Sequence, residues 1–333
     1  MKKKILLVGG CGFIGHNLAL KLKALGHEPT VVDSLSINNL KSINEEGVVN
    51  KKLYSAILEN RIALLKENNI DLIIQDARQY HEISKLYSNI NPEIIVHLAA
   101  VSHANKSNKD PHTTFDHSLR TLENTLDFAK SNKIHVIYMS SSMVYGNFNS
   151  SDVDEDSKCD PIGIYGTLKL SGELLIKAYK QVFDLPYSII RPSALYGERC
   201  VSRRVGQIFI ENAIQGQDIT INGDGEDKLD FTYIEDLVLG IASCCDNDNA
   251  LNQTFNLTHG KSRKINELLD ILKKEFPNCN VKYSEREKFM PERGTLKTNK
   301  AKKLINYNSK FSIEDGYIQY IKWYKDFWKK FNA

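Results

Sequence analysis

The amino-acid sequence predicts an α/β protein in which a doubly wound parallel sheet is followed by a smaller C-terminal α/β lobe. Three observations support this fold class. Aliphatic runs of strand length recur between longer helical patterns, glycines cluster directly after the first run, and short polar-interrupted segments replace this pattern after residue 192. Buried strands separated by helices are typical of a parallel sheet that is covered on both faces.

The composition is that of a soluble globular protein with a large core: 333 residues, 41% hydrophobic and 26% charged. The net charge is only +3, and basic and acidic residues are interspersed, so the chain offers no footprint for nucleic acid or a membrane surface. No window has the length and apolarity of a membrane span or a signal peptide, and we expect a cytoplasmic protein. The six cysteines lack paired CxxC spacing, which predicts reduced structural thiols and no metal site.

Residues 5–8 suit a strand that is buried on both faces, and the glycines that follow it form the turn. Gly9 permits a tight reversal, Gly12 lets backbone N–H groups approach an anion, and Gly15 lets the next helix lie close to its strand. The helix predicted over residues 14–25 points its positive N-terminus at this loop. The loop is therefore a candidate pyrophosphate site.

The second strand, residues 29–33, ends in Asp33. Dinucleotide-binding folds hold the adenosine ribose hydroxyls with a carboxylate at this point. A carboxylate repels a 2′-phosphate, and no arginine occurs among residues 34–36, so we predict NAD rather than NADP. The alternative is that Asp33 only caps the strand.

Three further strands are predicted at residues 71–75, 94–100 and 136–139. His97 lies inside an apolar run and is expected to be a core histidine rather than a catalyst. A helical pattern covers residues 112–131. Ser140, Ser141 and Ser142 follow the fifth strand, where its carboxyl end would reach the cleft.

Tyr165 and Lys169 are four residues apart on a predicted helix and therefore lie on one face. A tyrosine with its usual pKa near 10 is a weak base at neutral pH, and a nearby ammonium group would favour its phenolate. This spacing alone usually indicates only an amphipathic helix. Here it follows a cofactor loop, five strands and a serine cluster.

At this point the chain resembles the extended short-chain dehydrogenase/reductase family, specifically the nucleotide-sugar epimerases and their relatives. The resemblance extends over almost the whole length. It rests on Asp33 and on the segments at residues 9–15, 76–78, 97–100, 140–146, 165–169, 191–197, 223–225, 230–233 and 291–294.

The resemblance implies a Rossmann-type sheet and NAD as the cofactor. It implies that Tyr165 is the acid/base, that Lys169 is its partner and holds the nicotinamide ribose, and that Ser141 binds the reacting sugar oxygen. Asp76 and Ala77 would hold the adenine. The implied cofactor-binding residues are Gly9, Gly12, Phe13, Ile14, Gly15, Asp33, Asp76, Ala77, Leu98, Ala99, Ala100, Tyr165 and Lys169.

A nucleotide-diphosphate sugar is the implied substrate. Ala194 and Leu229 stand where many relatives use Asn and Arg to hold the diphosphate, and Ser118 replaces a common Asn. Arginine suits bidentate phosphate binding, so Arg293, together with Lys228 or Arg204, is expected to supply the positive charge. The full set of implied substrate-binding residues is Ser102, Ser141, Ser142, Arg204, Thr220, Asn222, Lys228 and Arg293.

Residues 1–191 and 231–261 are expected to form the NAD-binding domain, and residues 192–230 and 262–333 the nucleotide-sugar lobe. The resemblance also implies a homodimer that packs through two helices of each subunit, although packing within one chain is the simpler use of the same positions. The apolar positions on these helices are Phe115, Leu119, Leu122, Leu126, Leu174, Ala178 and Phe183.

The residues after Ser141 bear on the reaction. In the family, 4,6-dehydratases place an Asp-Glu pair there, whereas this chain has Ser142 and Met143. We therefore favour epimerisation at C4 of the sugar through a transient 4-keto intermediate. A 4-keto-sugar reductase or a C4 dehydrogenase would use the same residues. A non-catalytic dinucleotide-binding regulatory protein is a remote alternative, because such proteins typically lose the Tyr or the Lys.

Overall fold

The computed structural model describes residues 2–44, 49–102, 104–286 and 289–332, which form fifteen strands and twelve α-helices. The strands are β1 Lys4–Val8, β2 Glu28–Asp33, β3 Asp71–Ile74, β4 Ile94–His97, β5 His135–Met139, β6 Asp152–Val153, β7 Tyr187–Arg191, β8 Leu195–Tyr196, β9 Ile219–Asn222, β10 Lys228–Leu229, β11 Thr232–Tyr233, β12 Gln253–Asn256, β13 Arg263–Lys264, β14 Val281–Ser284 and β15 Thr295–Leu296. The helices are α1 Phe13–Ala24, α2 Lys51–Glu67, α3 Tyr80–Ile90, α4 Ala104–Lys109, α5 Pro111–Phe115, α6 Thr121–Asn132, α7 Gly163–Phe183, α8 Val205–Ile214, α9 Ile234–Asp246, α10 Ile265–Glu275, α11 Asn299–Ile305 and α12 Ile313–Asn332.

Seven strands form the central sheet in the order β12-β7-β5-β4-β1-β2-β3, and every neighbouring pair is parallel. The order reverses between β1 and β4, and ligands of open α/β sheets bind at such a point, beyond the carboxyl ends of the strands. The predicted fold class, a doubly wound parallel sheet, is confirmed. β12, which lies in the segment 231–261 that we expected to belong to the NAD-binding domain, forms the edge of this sheet beside β7.

Alternating residues of β1 enter two different cores because successive side chains of a strand point to opposite faces. Ile5 and Leu7 pack into the core beneath α1, α2 and α9, whereas Leu6 and Val8 pack into the core beneath α3, α6 and α7. All four side chains are almost fully buried. Burial on both faces explains why this strand is a continuous aliphatic run.

The remaining strands lie outside the central sheet in four short pairs: β8 with β11, β9 with β14, β10 with β13, and β6 with β15. Three of these pairs involve strands after residue 192, as expected for a second, smaller lobe. The pair β6–β15 instead connects a loop of the N-terminal half to residues near the C-terminus. The proposed domain division is consistent with the strand order but is not tested by it.

The helical pattern predicted over residues 112–131 is confirmed, but these residues do not form one regular α-helix. The chain forms α5, then a π-helical turn at Asp116–Arg120, then α6. Asp110 caps α5 by accepting a hydrogen bond from the Thr113 N–H at 3.0 Å. π turns insert an extra residue and are frequent at functional sites. Here His117, within the turn, and Thr121, directly after it, both line the main cleft.

The apolar positions that we predicted for a dimer face fall into two groups. Leu122 and Leu126 are fully buried against the central sheet and belong to the core of this chain, so their placement in an interface is wrong. Leu119 is partly buried, and Phe115, Leu174, Ala178 and Phe183 are exposed.

Within the part of the chain that the structure describes, no helix has the length and apolarity to cross a membrane.

Candidate active site

The glycine loop between β1 and α1 is the base of the main cleft. Gly9 has a φ of +74°, and a Cβ placed on it would lie 2.6 Å from the Ala99 backbone nitrogen. A Cβ on Gly15 would lie 2.4 Å from the Gly10 carbonyl oxygen. Both positions therefore require glycine. Helix α1 begins after Gly12 without a side-chain cap, so its first N–H groups are available to an anion in the cleft.

Asp33 lies at the end of β2 and is almost fully buried. Its two oxygens accept hydrogen bonds from the backbone N–H groups of Cys11 at 2.9 Å and Leu35 at 2.7 Å. Burial raises the pKa of Asp33, although these hydrogen bonds oppose the shift. Each carboxylate oxygen has a second lone pair, so Asp33 still has acceptor capacity for ribose hydroxyls.

The cleft is lined by all the predicted cofactor-binding residues except the catalytic tyrosine and lysine. Asp76 accepts hydrogen bonds from Arg78, the shortest at 2.7 Å. Burial acts to raise the pKa of Asp76, but these hydrogen bonds lower it below its usual value. The predicted residues on the lining are Gly9, Gly12, Phe13, Ile14, Gly15, Asp33, Asp76, Ala77, Leu98, Ala99 and Ala100. These residues fit a dinucleotide, because the glycines leave room for a backbone-bound diphosphate and Asp33 offers acceptors for a ribose.

Ser141, Tyr165 and Lys169 lie together at the carboxyl end of β5. Tyr165 and Lys169 are on the first turns of α7, and Ser141 precedes a short 3₁₀ turn. The Ser141 side chain lies close enough to the Tyr165 phenol to lower its pKa, although burial outweighs this effect. The Lys169 Nζ donates to the Met139 carbonyl oxygen at 2.6 Å and lies 6.0 Å from the centre of the Tyr165 ring. The structure therefore brings the three predicted catalytic residues together.

The pKa values of this group differ from the sequence-based expectation. Burial raises the pKa of Tyr165 above its usual value, and the charge of Arg204 and the Ser141 side chain only partly oppose it. Burial also lowers the pKa of Lys169 to about 8, against the opposing charge of Glu173. The expected lowering of the tyrosine pKa by Lys169 is not found, because burial dominates and the cation that acts on Tyr165 is Arg204.

Behind α7, a paired network supports the catalytic residues. Glu173 is fully buried one turn after Lys169 and accepts hydrogen bonds from Arg191 at 2.7 and 2.9 Å and from the Ser140 hydroxyl at 2.5 Å. Arg191 also donates to the Tyr145 hydroxyl at 2.9 Å, which donates to Asn256 at 2.8 Å. This network joins β5, α7, β7 and β12, and thereby fixes the base of the Ser141 loop.

The predicted substrate residues are not all brought together. Arg204 and Ser102 line the cleft. Arg293 lies near Arg204: burial, and then repulsion by Arg204, lower the pKa of Arg293 to about 10. The Nε atoms of both arginines are buried without a hydrogen-bond partner among the described residues.

The other predicted substrate residues lie apart from the cleft lining. Ser142 is buried, and its N–H donates to the Pro192 carbonyl at 2.9 Å. Thr220 and Asn222 are exposed on β9, and Lys228 is exposed on β10. The structure therefore supports Arg204 and Arg293 as the cations of the substrate site more directly than Lys228.

Two interpretations of buried side chains are confirmed. His97 is a core residue, since its Nδ1 lies 3.1 Å from the Thr125 hydroxyl and burial lowers its pKa to about 3. The six cysteines are free thiols, of which four are buried. Within the described ranges, no group of three or more His, Cys, Asp or Glu residues is placed to hold a metal ion.

Sequence reasoning missed Arg61, which lies in α2 and lines the cleft beside Asp33. The signal was present in the helical pattern. Arg61 occupies the buried stripe of α2, four residues after Ile57 and four residues before Leu65. A charged residue on an apolar helix face requires a specific partner.

The comparisons with known proteins agree with this fold and site. Residues 5–258 match the family described as the NAD dependent epimerase/dehydratase family, and the chain belongs to it. The predicted cofactor, NAD, is thereby confirmed. The chain is 28% identical to an uncharacterized UDP-glucose epimerase of Bacillus subtilis, with 94% of this chain and 95% of the relative covered. It is 27% identical to a putative UDP-glucose 4-epimerase of Methanocaldococcus jannaschii, with 97% and 98% covered.

Among solved structures, the chain is similar to a UDP-glucuronic acid 4-epimerase from Bacillus cereus in complex with UDP-glucuronic acid and NAD. The TM-score is 0.87 at 26% identity, with 97% of this chain and 99% of that chain covered. A dTDP-glucose 4,6-dehydratase from Streptomyces venezuelae superposes with a TM-score of 0.86 at 22% identity, which supports the fold alone. Another relative, at 27% identity, is a dTDP-D-glucose 4,6-dehydratase of Dictyostelium discoideum, with 71% of this chain and 54% of the relative covered.

Proposed function

We propose that this protein is an NAD-dependent nucleotide-sugar 4-epimerase. The observation that carries the proposal is the group formed by Ser141, Tyr165 and Lys169 beside the cofactor cleft, with the Arg204 charge acting on the tyrosine. Relatives named as 4-epimerases, aligned over nearly the full length, support it. A hydroxyl, a phenol and an ammonium group in this arrangement can remove a proton from one substrate hydroxyl and return it.

The chain's own residues act on the substrate oxygen. Ser141 hydrogen-bonds to the C4 hydroxyl and orients it, and Tyr165 as phenolate takes its proton. Bound NAD, which the glycine loop and Asp33 would hold in the cleft, would supply the acceptor and donor for the C4 hydride. After the 4-keto sugar has turned, Tyr165 gives the proton back to the oxygen on the other face. The positive charge of Arg204 favours the phenolate that starts this sequence.

The residues after Ser141 argue against a dehydratase. Elimination of water needs an additional acid and base, and Ser142 and Met143 provide no carboxylate at these positions. A C4 dehydrogenase or a 4-keto-sugar reductase would use the same Ser, Tyr and Lys. These activities differ from epimerisation in the fate of the hydride, which an isotopic experiment can follow.

The test uses nucleotide sugars deuterated at C4. An epimerase returns the deuterium to C4 of the product and leaves no net NADH. The panel should include UDP-, GDP-, CMP- and dTDP-sugars, with absorbance at the reduced-nicotinamide band as the second measurement. Accumulation of NADH together with a free keto product would identify a dehydrogenase and contradict the proposal.

We also propose that the substrate diphosphate is bound by Arg293 and Arg204. Both guanidinium groups have a buried Nε without a partner among the described residues, and arginine binds phosphate oxygens in a bidentate manner. Their mutual repulsion, which contributes to the low pKa of Arg293, would be relieved by an anion between them. A nucleotide-diphosphate sugar supplies such an anion.

Finally, we propose a homodimer whose face is formed by α5 and α7, which contact each other. Phe115 and Leu174 are large apolar side chains that are 47% and 59% exposed, and Phe183 is 41% exposed. A symmetric interface would bury this face in the partner subunit. We expect the mass in solution to be that of a dimer and Leu174→Asp to be monomeric, with Leu25→Asp, an exposed apolar residue elsewhere, as the control. A monomeric wild-type protein at micromolar concentration would contradict the dimer.

A further inference from the structure

Arg61 is a buried cation in the cofactor cleft, and one nitrogen of its guanidinium group is available to a ligand. Its side chain is only 1% exposed, yet it lines the cleft beside Gly12, Ile14 and Asp33. The Nη1 atom has no hydrogen-bond partner among the described residues. Burial lowers the pKa of Arg61 to about 10, so the guanidinium is charged at neutral pH.

The orientation of the guanidinium group is fixed by a segment far along the chain. Its Nε donates to the Arg199 carbonyl oxygen at 3.1 Å, and its Nη2 donates to the same oxygen. In return, the Arg199 Nε donates to the Asn60 side chain at 2.9 Å. The two bonds to the Arg199 carbonyl hold the Arg61 guanidinium from one side. Because the guanidinium is planar and rigid, the position of Nη1 is determined by them.

The protein supplies little negative charge against Arg61. Asp33, Cys11 and Cys200 are the groups whose charges raise its pKa, and Arg199 acts in the opposite direction. Burial and the nearby Asp33 raise the pKa of the Cys11 thiol to about 11, so that thiol is neutral at physiological pH. Among the described residues, Arg61 forms no salt bridge, and both oxygens of Asp33 accept backbone N–H groups. A buried cation with this surrounding calls for an external anion.

We propose that Arg61 binds the diphosphate of the NAD molecule, so that the glycine loop and α1 hold it from one side and Arg61 from another. The location favours this group. Arg61 is close to Cys11 in the glycine loop, where a diphosphate meets the helix N-terminus. A 2′-phosphate on the ribose is the alternative anion, but Asp33 would repel it. The inference concerns the cofactor and does not depend on which sugar is the substrate.

The test measures ligand binding to the full chain after removal of bound nucleotide. The probes are ADP, which has the diphosphate, adenosine, which lacks it, and adenosine 2′-phosphate, which carries phosphate only on the ribose. We expect Arg61→Met to weaken ADP by about 10- to 100-fold, the range for a hydrogen bond to a charged group. Adenosine affinity should change by less than about twofold, well below one such bond.

Two further variants separate the guanidinium from the fold around it. Asn60→Ala removes the tie to Arg199 but leaves Arg61 in place, and we expect it to bind ADP like the wild type. Arg61→Lys keeps a positive charge and replaces Arg61→Met if that variant does not fold. We expect Arg61→Lys to bind ADP more weakly than wild type but to retain part of the affinity. The fraction of NAD that stays bound through purification should follow the same order.

Each contrary result overturns the proposal. Unchanged ADP affinity in Arg61→Met and Arg61→Lys would mean that the guanidinium does not contact the diphosphate. Equal losses for ADP and adenosine would assign Arg61 to the shape of the cleft. A loss confined to adenosine 2′-phosphate would place the contact at the ribose, and an equal ADP loss in Asn60→Ala would assign it to the Arg199 segment.

Discussion

Arg191 and Arg61 are both almost fully buried, one behind α7 and the other in the cofactor cleft, but their surroundings differ. Arg191 forms a bidentate pair with Glu173, at 2.7 and 2.9 Å, and donates to Tyr145. Burial alone would lower the pKa of Arg191, yet Glu173 raises it above its usual value. Arg61 donates to one carbonyl oxygen, its Nη1 has no partner within the described ranges, and burial lowers its pKa.

The buried charges therefore fall into two groups, one behind α7 around Glu173 and Arg191 and the other in the ligand clefts around Arg61, Arg204 and Arg293. The charges behind the catalytic helix are satisfied by the protein itself, so their removal should affect folding. Arg61, Arg204 and Arg293 each have a nitrogen without a partner in the described part of the chain, so their removal should affect ligand affinity. The following predictions, ordered by the size of the effect, test whether this division holds.

The largest effect is expected from Tyr165→Phe, which changes the chemistry but no charge in either region. General acid–base catalysis contributes about 100- to 10,000-fold, so kcat should fall by at least that amount in steady-state turnover of a nucleotide sugar. NAD binding and thermal stability should remain close to wild type. Activity within tenfold of wild type would exclude Tyr165 as the acid/base.

The second effect concerns stability. Glu173→Gln leaves the Arg191 charge buried without a counter-charge, and removing one partner of a buried ion pair costs about 3–5 kcal/mol. Arg61→Met removes a cation that has no such pair and should cost less than about 1.5 kcal/mol, the net value of a typical hydrogen bond. Urea unfolding in the absence of NAD measures both. Equal losses of unfolding free energy in the two variants would contradict the distinction between the paired charges behind α7 and the charges in the clefts.

The elements that were predictable from the sequence are local. The glycine loop, Asp33 and the residues after β3 and β4 lie within a few positions of a strand end, and parallel strands bring those ends to one edge of a sheet. Short-range patterns and the family resemblance therefore located eleven residues of the cofactor lining, but they did not locate Arg61. Tyr165 and Lys169 were equally accessible because they are one helical turn apart.

The features that were missed depend on long-range packing. The partner of Arg61 is Arg199, 138 residues away, so no spacing in the sequence connects them. The pKa of Tyr165 is set by burial and Arg204, which only the assembled lobe determines. Thr220, Asn222 and Lys228 were placed by resemblance, but exposure at the ends of short strands is not visible in a motif.

The third prediction separates the two arginines near Tyr165. Arg293→Met should raise the KM for the nucleotide sugar by about 10- to 100-fold, the value of a charged hydrogen bond, with little change in kcat. Arg204→Met should raise KM and also lower kcat below pH 8, because the Arg204 charge favours the phenolate of Tyr165. Lys228→Met on exposed β10 is the control, with KM near wild type. A KM rise in the control as large as in the two arginine variants would move the diphosphate site to the outer strands.

The smallest effect is a change in the pH profile, and it concerns Lys169, which lies between the paired and unpaired regions. Catalysis needs Tyr165 as phenolate and Lys169 as ammonium. The pKa of Tyr165 is raised and that of Lys169 is lowered to about 8. Below pH 8 the rate should therefore rise with the phenolate fraction, at most tenfold per pH unit. Above pH 8 the loss of the Lys169 charge offsets this gain, and the rate should level off.

Lys169→Met removes the group that causes the plateau. Its rate should be lower than that of wild type at neutral pH, because the ammonium group that we expect to hold the nicotinamide ribose is lost. The rate should nevertheless continue to rise through pH 8 towards the pKa of Tyr165, so the variant's optimum lies at higher pH. Turnover measured from pH 6 to pH 10 at saturating nucleotide sugar, in buffers of constant ionic strength, distinguishes the two profiles. If the inflection near pH 8 persists in Lys169→Met, it belongs to another group, and Lys169 only positions the Met139 carbonyl to which it donates.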